Sequence, residues 1–447
     1  MHFCESEFWN NNLTWYTETP KFTECFQTTV LVYTPAAIFL STSILDIYNC
    51  IHSKLRNIPW SAPLITKIVL TSLCILVAVI EISTNFALLA YGSSVYAANI
   101  ISPLVKMIVY ALSLIFLLAS KHFGQVYSPA QFLFWSTNVL CQALGLVSMA
   151  MDDTNEEGIN IILLPINIII STVMFFLNCW ADKQPLYADL QEQEEDNPCP
   201  KKFASFPSRM LFSWFDELVI KGWKNPLVQS DLWDLNHEDK LTTVVEYLEK
   251  SIIGKENVSI ISVLFTSYWK SFVVLSIFYL TKTLLQLADP QIINLVIQFI
   301  ELREESWKGY LYMVLFGIVS ILTILFDTLY WTTIQLVVNR VYTGLAAIIY
   351  KKSLRLSSQS RNNYSSGEIV NLIAVDASKI QEALTFVTLL WVSPVHVVLT
   401  VYFTWQVIGP AVLVGKCFNI FIVTQDLLKL HLFRTCNLTS DFTTECN

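Results

Sequence analysis

The sequence predicts an all-α polytopic membrane protein, and three observations carry that class. Hydrophobic residues make up 54% of the 447 and charged residues only 14%, with a mean hydropathy of +0.50, well on the apolar side of soluble domains. Apolar runs of about 20 residues, the length that crosses a bilayer as helix, recur along the chain. Cations gather in alternate connectors between those runs, as they do when one set of loops faces the cytoplasm.

The first 25 residues lack the apolar core of a cleavable signal, so the first span would direct insertion itself. Within this tail Cys4 and Cys25 flank the sequon Asn12-Leu13-Thr14. If the tail lies outside, Asn12 is a glycosylation site and the two cysteines have the compartment in which a disulfide persists. The ten cysteines include no CxxC pair and no Cys/His cluster, which argues against a metal site. A net charge of −8 with dispersed basic residues argues against a nucleic-acid partner. The lipid bilayer is the partner that composition demands.

Spans are expected near residues 30–51, 64–91, 95–120, 131–151 and 159–180. Lys54 and Arg56 follow the first, and Lys121 and His122 the third, whereas 92–94 carries no cation and 152–158 is acidic. That asymmetry places the N-terminus outside and the segment after Trp180 in the cytoplasm. Register also pairs intramembrane charges. Glu81 and Lys106 lie roughly 12 and 13 residues either side of Ser93, so antiparallel spans would hold them at one depth, in reach of a buried contact. Glu81 bonded to its own helix or to Asn85 is the competing reading.

Residues 182–202 are polar and acidic, a flexible linker. In 203–235 Leu211, Trp214, Phe215, Leu218 and Val219 recur at the spacing of one helix stripe, with Pro207 suited to its first turn and Gly222 to its end. Asn225-Pro226 then forces an extended turn, Ser230 or Asp231 can cap the next turn, and Leu232, Trp233 and Leu235 form a second apolar cluster. Leu241, Val244, Val245, Leu248 and Ile252 make a further amphipathic stripe, expected against the membrane surface, with docking on protein as the alternative.

Further spans are expected at 272–300 and 310–338, joined by a charged outer loop at 301–308. Lys282 and Asp327 lie roughly 23 and 22 residues from Glu305, so antiparallel helices would hold them at similar depth, in reach of an ion pair. Helix continues past Val338 into a basic, cytoplasmic stretch with Arg340, Lys351, Lys352, Arg355 and Arg361. Ser365-Ser366-Gly367-Glu368 reads as a capping box opening a short helix whose apolar face is Ile369, Leu372 and Ile373. A last span is expected at 383–405, with Gly409-Pro410 as the outer turn.

The wording from Arg209 to Leu235, RMLFSWFDELVIKGWKNPLVQSDLWDL, resembles the segment before the first core membrane domain in the multidrug-resistance-associated branch of ATP-binding-cassette transporters. The carriers are Arg209, Trp214 and Phe215, Gly222, Pro226, and the Asp231-Leu232-Trp233 ending. SSGEIVNLIAVDASKIQEA, with Ser365, Gly367, Glu368, Ile369 and Asp376, resembles the first coupling region of that family, which transmits nucleotide-domain motion to membrane helices. The resemblance runs over roughly 41–415. It implies a five-helix N-terminal membrane domain (1–181), a cytoplasmic linker (182–262) and the first helices of an exporter-type membrane domain (263–415).

It further implies export of organic anions, such as glutathione or glucuronide conjugates, across the plasma membrane, powered by ATP and Mg²⁺ on nucleotide-binding domains, and it invites Lys282 as a contact for the anionic substrate, with which the ion pair to Asp327 competes. Those domains have no counterpart here. The nearest phosphate-loop lookalike, GPAVLVGKC at 409–417, spaces its glycines one residue too far and has Cys417 in place of the Mg²⁺-binding hydroxyl. Neither catalytic residues nor a cofactor site is therefore assigned. Lys416 and Asn419 interrupt the expected return helix, and 416–447 reads as an atypical tail. The expectation is a truncated exporter that does not transport alone. The alternative is a membrane interaction subunit, since the sulfonylurea receptors of the same branch use a similar five-helix domain to bind an inward-rectifier potassium channel.

Overall fold

A computed structural model describes residues 3–4, 6–52, 57–91, 96–151, 160–182, 197–252, 260–355 and 366–410. All regular structure among them is helical, and eight helices are long and apolar enough to cross a membrane. The chain divides into two compact units, Met1–Asn236 and His237–Asn447.

In the first unit a one-turn helix, α1 (Asn11–Thr14), precedes five spanning helices: α2 (Glu24–His52), α3 (Ala62–Ala90), α4 (Ala97–His122), α5 (Pro129–Ala150) and α6 (Asn160–Cys179). Each matches an expected span, and Ser61 caps α3 and Ser128 caps α5, each just ahead of a proline in the first turn. Phe39, Cys74, Val109, Phe134, Trp135 and Met174 form the core, with the Tyr110 and Trp135 rings stacked 5.8 Å apart.

Polar side chains turn inward, where they find partners that lipid cannot offer. Gln131 accepts from Ser113 Oγ at 2.8 Å and from Trp135 Nε1 at 3.0 Å. Lys106 Nζ donates to Glu81 Oε2 at 2.9 Å, and Asn167 Nδ2 donates to Glu81 Oε1 at 3.3 Å. Asn85 instead donates to the Asn99 carbonyl at 2.6 Å, which Pro103, lacking an N–H, cannot serve. The Cys4–Cys25 disulfide ties the tail to the first turn of α2.

The linker corrects one expectation. The stripe from Leu211 to Val219 is not one helix: α7 (Phe206–Met210) ends, Phe212 takes a left-handed φ of 59°, a 3-10 turn covers Ser213–Phe215, and α8 (Asp216–Lys224) starts afresh. Accordingly Leu211 and Val219 stay exposed, while Leu218 is buried. The break lets Trp214 and Phe215 turn onto Trp233, at 5.7 Å each between ring centroids.

In the second unit α9 (Leu241–Ile252) packs against α10 (Ile260–Leu302) and α11 (Ser306–Arg355). The expectation of α9 lying against lipid is corrected here. Val244 and Leu248 are buried in a protein core with Tyr268, Tyr330, Val338 and Val341. Gly344 permits the approach, since a Cβ there would sit 2.5 Å from Leu248 and 2.9 Å from Val244. Arg340 Nε to Asp239 and Lys351 to Glu249, both 2.6 Å, flank the seam. At about 1.5 Å per residue α10 and α11 run roughly 64 and 75 Å, about twice a hydrocarbon core, so both project well beyond it.

The turn between them is three residues long, and Arg303 adopts φ 49° there. The coupling stretch holds α12 (Ser366–Asn371), a five-residue π segment over Leu372–Asp376, α13 (Ala377–Thr385) and α14 (Val387–Ile408). The expected short helix is thus not separate: it runs without a loop into the ascending one. Gly409 closes α14 at φ 68°, a conformation that favours glycine.

Candidate functional site

The sequence points to three sets of residues. In the linker motif Arg209 is the anchor. Its Nη1 donates to Tyr127 Oη at 2.7 Å, its Nη2 to the Lys202 carbonyl at 2.8 Å, and its guanidinium lies 3.8 Å over the Tyr127 ring. Burial pushes the guanidinium below its ordinary pKa, opposed by Tyr127, yet arginine stays charged across biological pH. Phe206 packs on Phe132 of α5 at 5.5 Å, so α7 is held against the five-helix bundle by one cation and one ring.

The rest of the motif is a small aromatic clasp. Asp231 accepts from Lys221 at 2.7 Å and from the Val228 N–H at 3.1 Å, which fixes the chain leading to Leu232 and Trp233. The Lys221 hydrogen bond, then that of Val228, hold the Asp231 carboxyl below its usual range. Gly222 faces Leu227, whose side chain a Cβ would meet at 3.2 Å. Pro226 lies in the extended turn after Asn225, whose ψ of 150° ends α8.

Lys282 meets Asp327 at 3.3 Å and lies 5.3 Å from the Tyr279 ring centroid. In the coupling stretch Gly367 and Glu368 are exposed, Ile369 and Asp376 half-buried, and α13 is tied to α11 by Gln381 to Asn339 at 2.8 Å. Ser365 lies outside the described residues, as do 411–447 with most of the phosphate-loop lookalike and the tail. The described start of the lookalike does not suit nucleotide: Gly409 follows a spanning helix, α14, whereas a phosphate loop follows a strand. No group of three metal-ligating side chains occurs among the described residues. Asn12 is exposed on α1, while Thr14 of its sequon is buried, donating to the Lys21 carbonyl at 2.8 Å.

One anchoring contact escapes the sequence reading. Lys67 of α3 meets Asp182, just past α6, at 3.1 Å, with the lysine nearly fully buried. A cation in the first turns of a span is a usable signal; its partner 115 residues on is not.

A family model, the ABC transporter transmembrane region, matches residues 258–428. The chain is 28% identical to ATP-binding cassette sub-family C member 3 of Mus musculus over 94% of its own length. It is 27% identical to the Homo sapiens member 3 and 23% identical to Homo sapiens member 2, again over 94%. It spans 30% of the length of each of these relatives. The transmembrane match in the second unit, and relatives that run through both units, support a likeness of the chain to the N-terminal portion of the multidrug-resistance-associated ATP-binding-cassette transporters.

Proposed function

We propose that the chain supplies the N-terminal membrane part of an ATP-driven exporter of organic anions or their conjugates, in which α9 to α14 carry motion between nucleotide-binding domains and the membrane. The observation that supports this most is the α10–α11 hairpin, far longer than a bilayer is thick, inside the matched transmembrane region. A contact between Lys282 and the anion competes with the Lys282–Asp327 ion pair, and 366–376 is the candidate coupling region. ATP and Mg²⁺ belong to nucleotide-binding domains beyond these residues, and the chain by itself is not expected to drive transport.

The test is a chimera in which this chain replaces the matching N-terminal part of the mouse sub-family C member 3. Inside-out vesicles carrying it should take up a glucuronide or glutathione conjugate only with ATP, and vesicles carrying the chain alone should not. A chimera that reaches the plasma membrane and fails to move any conjugate overturns the proposal. The same cells report topology: glycosidase should shift the wild type and not Asn12→Gln if the N-terminus is extracellular.

A second reading rests on the self-contained core of the first unit. There the five helices serve as a module that binds another membrane protein, for which co-purification with an inward-rectifier potassium channel is the discriminating result.

A further inference from the structure

The coupling stretch changes character at one point. From Gly367 to Asp376 no residue is buried, and Val370 and Leu372 are 62% and 41% exposed. From Ala377 onward the helix is docked on α11. Ala377 and Leu384 are buried, Ile380 packs against the core that holds Tyr330 and Val341, and Gln381 Nε2 donates to Asn339 Oδ1 at 2.8 Å. The π segment, Leu372–Asp376, fills the junction and ends immediately before the first buried residue. It joins an exposed helix, α12, to a docked one, α13. Single π turns inside α-helices are rare and gather at functional sites.

The sequence across this junction suits an uninterrupted α-helix equally well. Ile369, Ile373, Ala377, Ile380 and Leu384 recur at i, i+4, i+8, i+11 and i+15, one face of such a helix. Neither proline nor glycine, the usual breakers of a helix ladder, lies between Asn371 and Thr385. The two forms use the same backbone donors and acceptors, bonded five residues apart in one and four in the other. They differ in direction. A π turn holds about one residue more than an α turn, so closing the segment to α turns α12 by about 100°, one residue's share of a 3.6-residue turn. Val370 and Leu372 then face another way, while α13 keeps its place on α11.

We propose that Leu372–Asp376 is a swivel, which alternates between the π and α forms and so rotates α12 about its axis while α13 stays docked. A surface that packs on Val370 and Leu372 in one orientation only selects that form, by its differential contact with the two. With 366–376 read as the coupling region, on which this role rests, that surface is a nucleotide-binding domain. The swivel then sets how much of the domain's movement reaches α13 and the membrane.

Deleting Ala374, which is exposed, removes the extra residue. The segment then closes as α with α12 held in its present direction, and no π turn is left to close. The test uses the full chain in lipid nanodiscs, with nitroxides carried on a genetically encoded ketone residue at Val370 and Tyr350, both exposed, so that native cysteines stay unlabelled. Pulsed dipolar electron spin resonance should give two distance populations in the wild type and one in the deletion variant, coinciding with one of the two. A single narrow population in the wild type, or two in the deletion variant, overturns the swivel. The wild-type measurement decides even if the variant fails to fold. Uptake reports the use of the swivel separately. In the sub-family C chimera the deletion should abolish ATP-dependent conjugate uptake at normal surface level. Unchanged uptake, with one population in the deletion variant of the chain, overturns the coupling role and leaves the swivel standing.

Discussion

Lys106 Nζ lies 2.9 Å from Glu81 Oε2, joining α4 to α3 in the interior of the five-helix bundle, and Asn167 of α6 donates to the other carboxylate oxygen. Either charge alone would cost at least about 2.5–3.5 kcal/mol at mid-membrane. Glu81→Gln and Lys106→Gln should therefore each reduce the membrane-integrated yield, and the double variant should recover most of it. Losses that add in the double variant would show that the pair does not act as a unit.

Gly344 carries the docking of α9. Gly344→Val puts a branched side chain where Leu248 and Val244 already sit at 2.5 and 2.9 Å from the Cβ position, and overpacking of this kind costs about 1–3 kcal/mol. Thermal unfolding of the purified chain should shift down, and trypsin should cut after Lys250 faster. Gly344→Ala should do less, because the nearest atoms are the ends of mobile leucine and valine side chains. Gly317→Val is the neutral control, and equal shifts in both variants would remove the packing explanation.

Arg209 should resist conservative replacement. Lysine keeps the charge and loses the forked donation to Tyr127 and Lys202. Amide exchange over residues 203–212 should rise about tenfold in Arg209→Lys, corresponding to about 1.4 kcal/mol. Tyr127→Phe, which keeps the ring beneath the guanidinium, should rise less. Wild-type exchange in Arg209→Lys would mean that charge alone holds α7.

These contacts mark how much is legible in the sequence. The eight spans are readable because an apolar helix in lipid leaves an uninterrupted run of about 20 residues. Glu81 with Lys106, and Lys282 with Asp327, are readable because a short turn fixes the register of the helices on either side. Lys67 with Asp182 and Arg209 with Tyr127 span 115 and 82 residues. Such pairs depend on which helices neighbour one another, and hydrophobic periodicity does not encode that. The break at Phe212 is hidden for a local reason: a phenylalanine at φ 59° carries no glycine or asparagine signal, and the stripe continues across it. The π segment at Leu372–Asp376 adds about a residue per turn inside an apolar stretch, too small a slip for a periodic pattern to show.

The Lys282–Asp327 pair sets the last expectation. At 3.3 Å it is longer than Glu81–Lys106, and both partners lie in spanning helices. A charge left alone there costs at least about 2.5–3.5 kcal/mol, so Lys282→Ala or Asp327→Ala should each lower integrated yield. Transport separates the two roles open to Lys282. If the lysine is structural, both single variants of the sub-family C chimera should retain conjugate uptake per molecule at the surface. If it meets the anion, Lys282→Ala should lower uptake while Asp327→Ala expresses normally and leaves uptake near wild type, because removing the aspartate frees the ammonium for a substrate. The ion pair leads us to expect the first outcome, and surface-normalised, ATP-dependent vesicle uptake of a glucuronide conjugate is the measurement that decides.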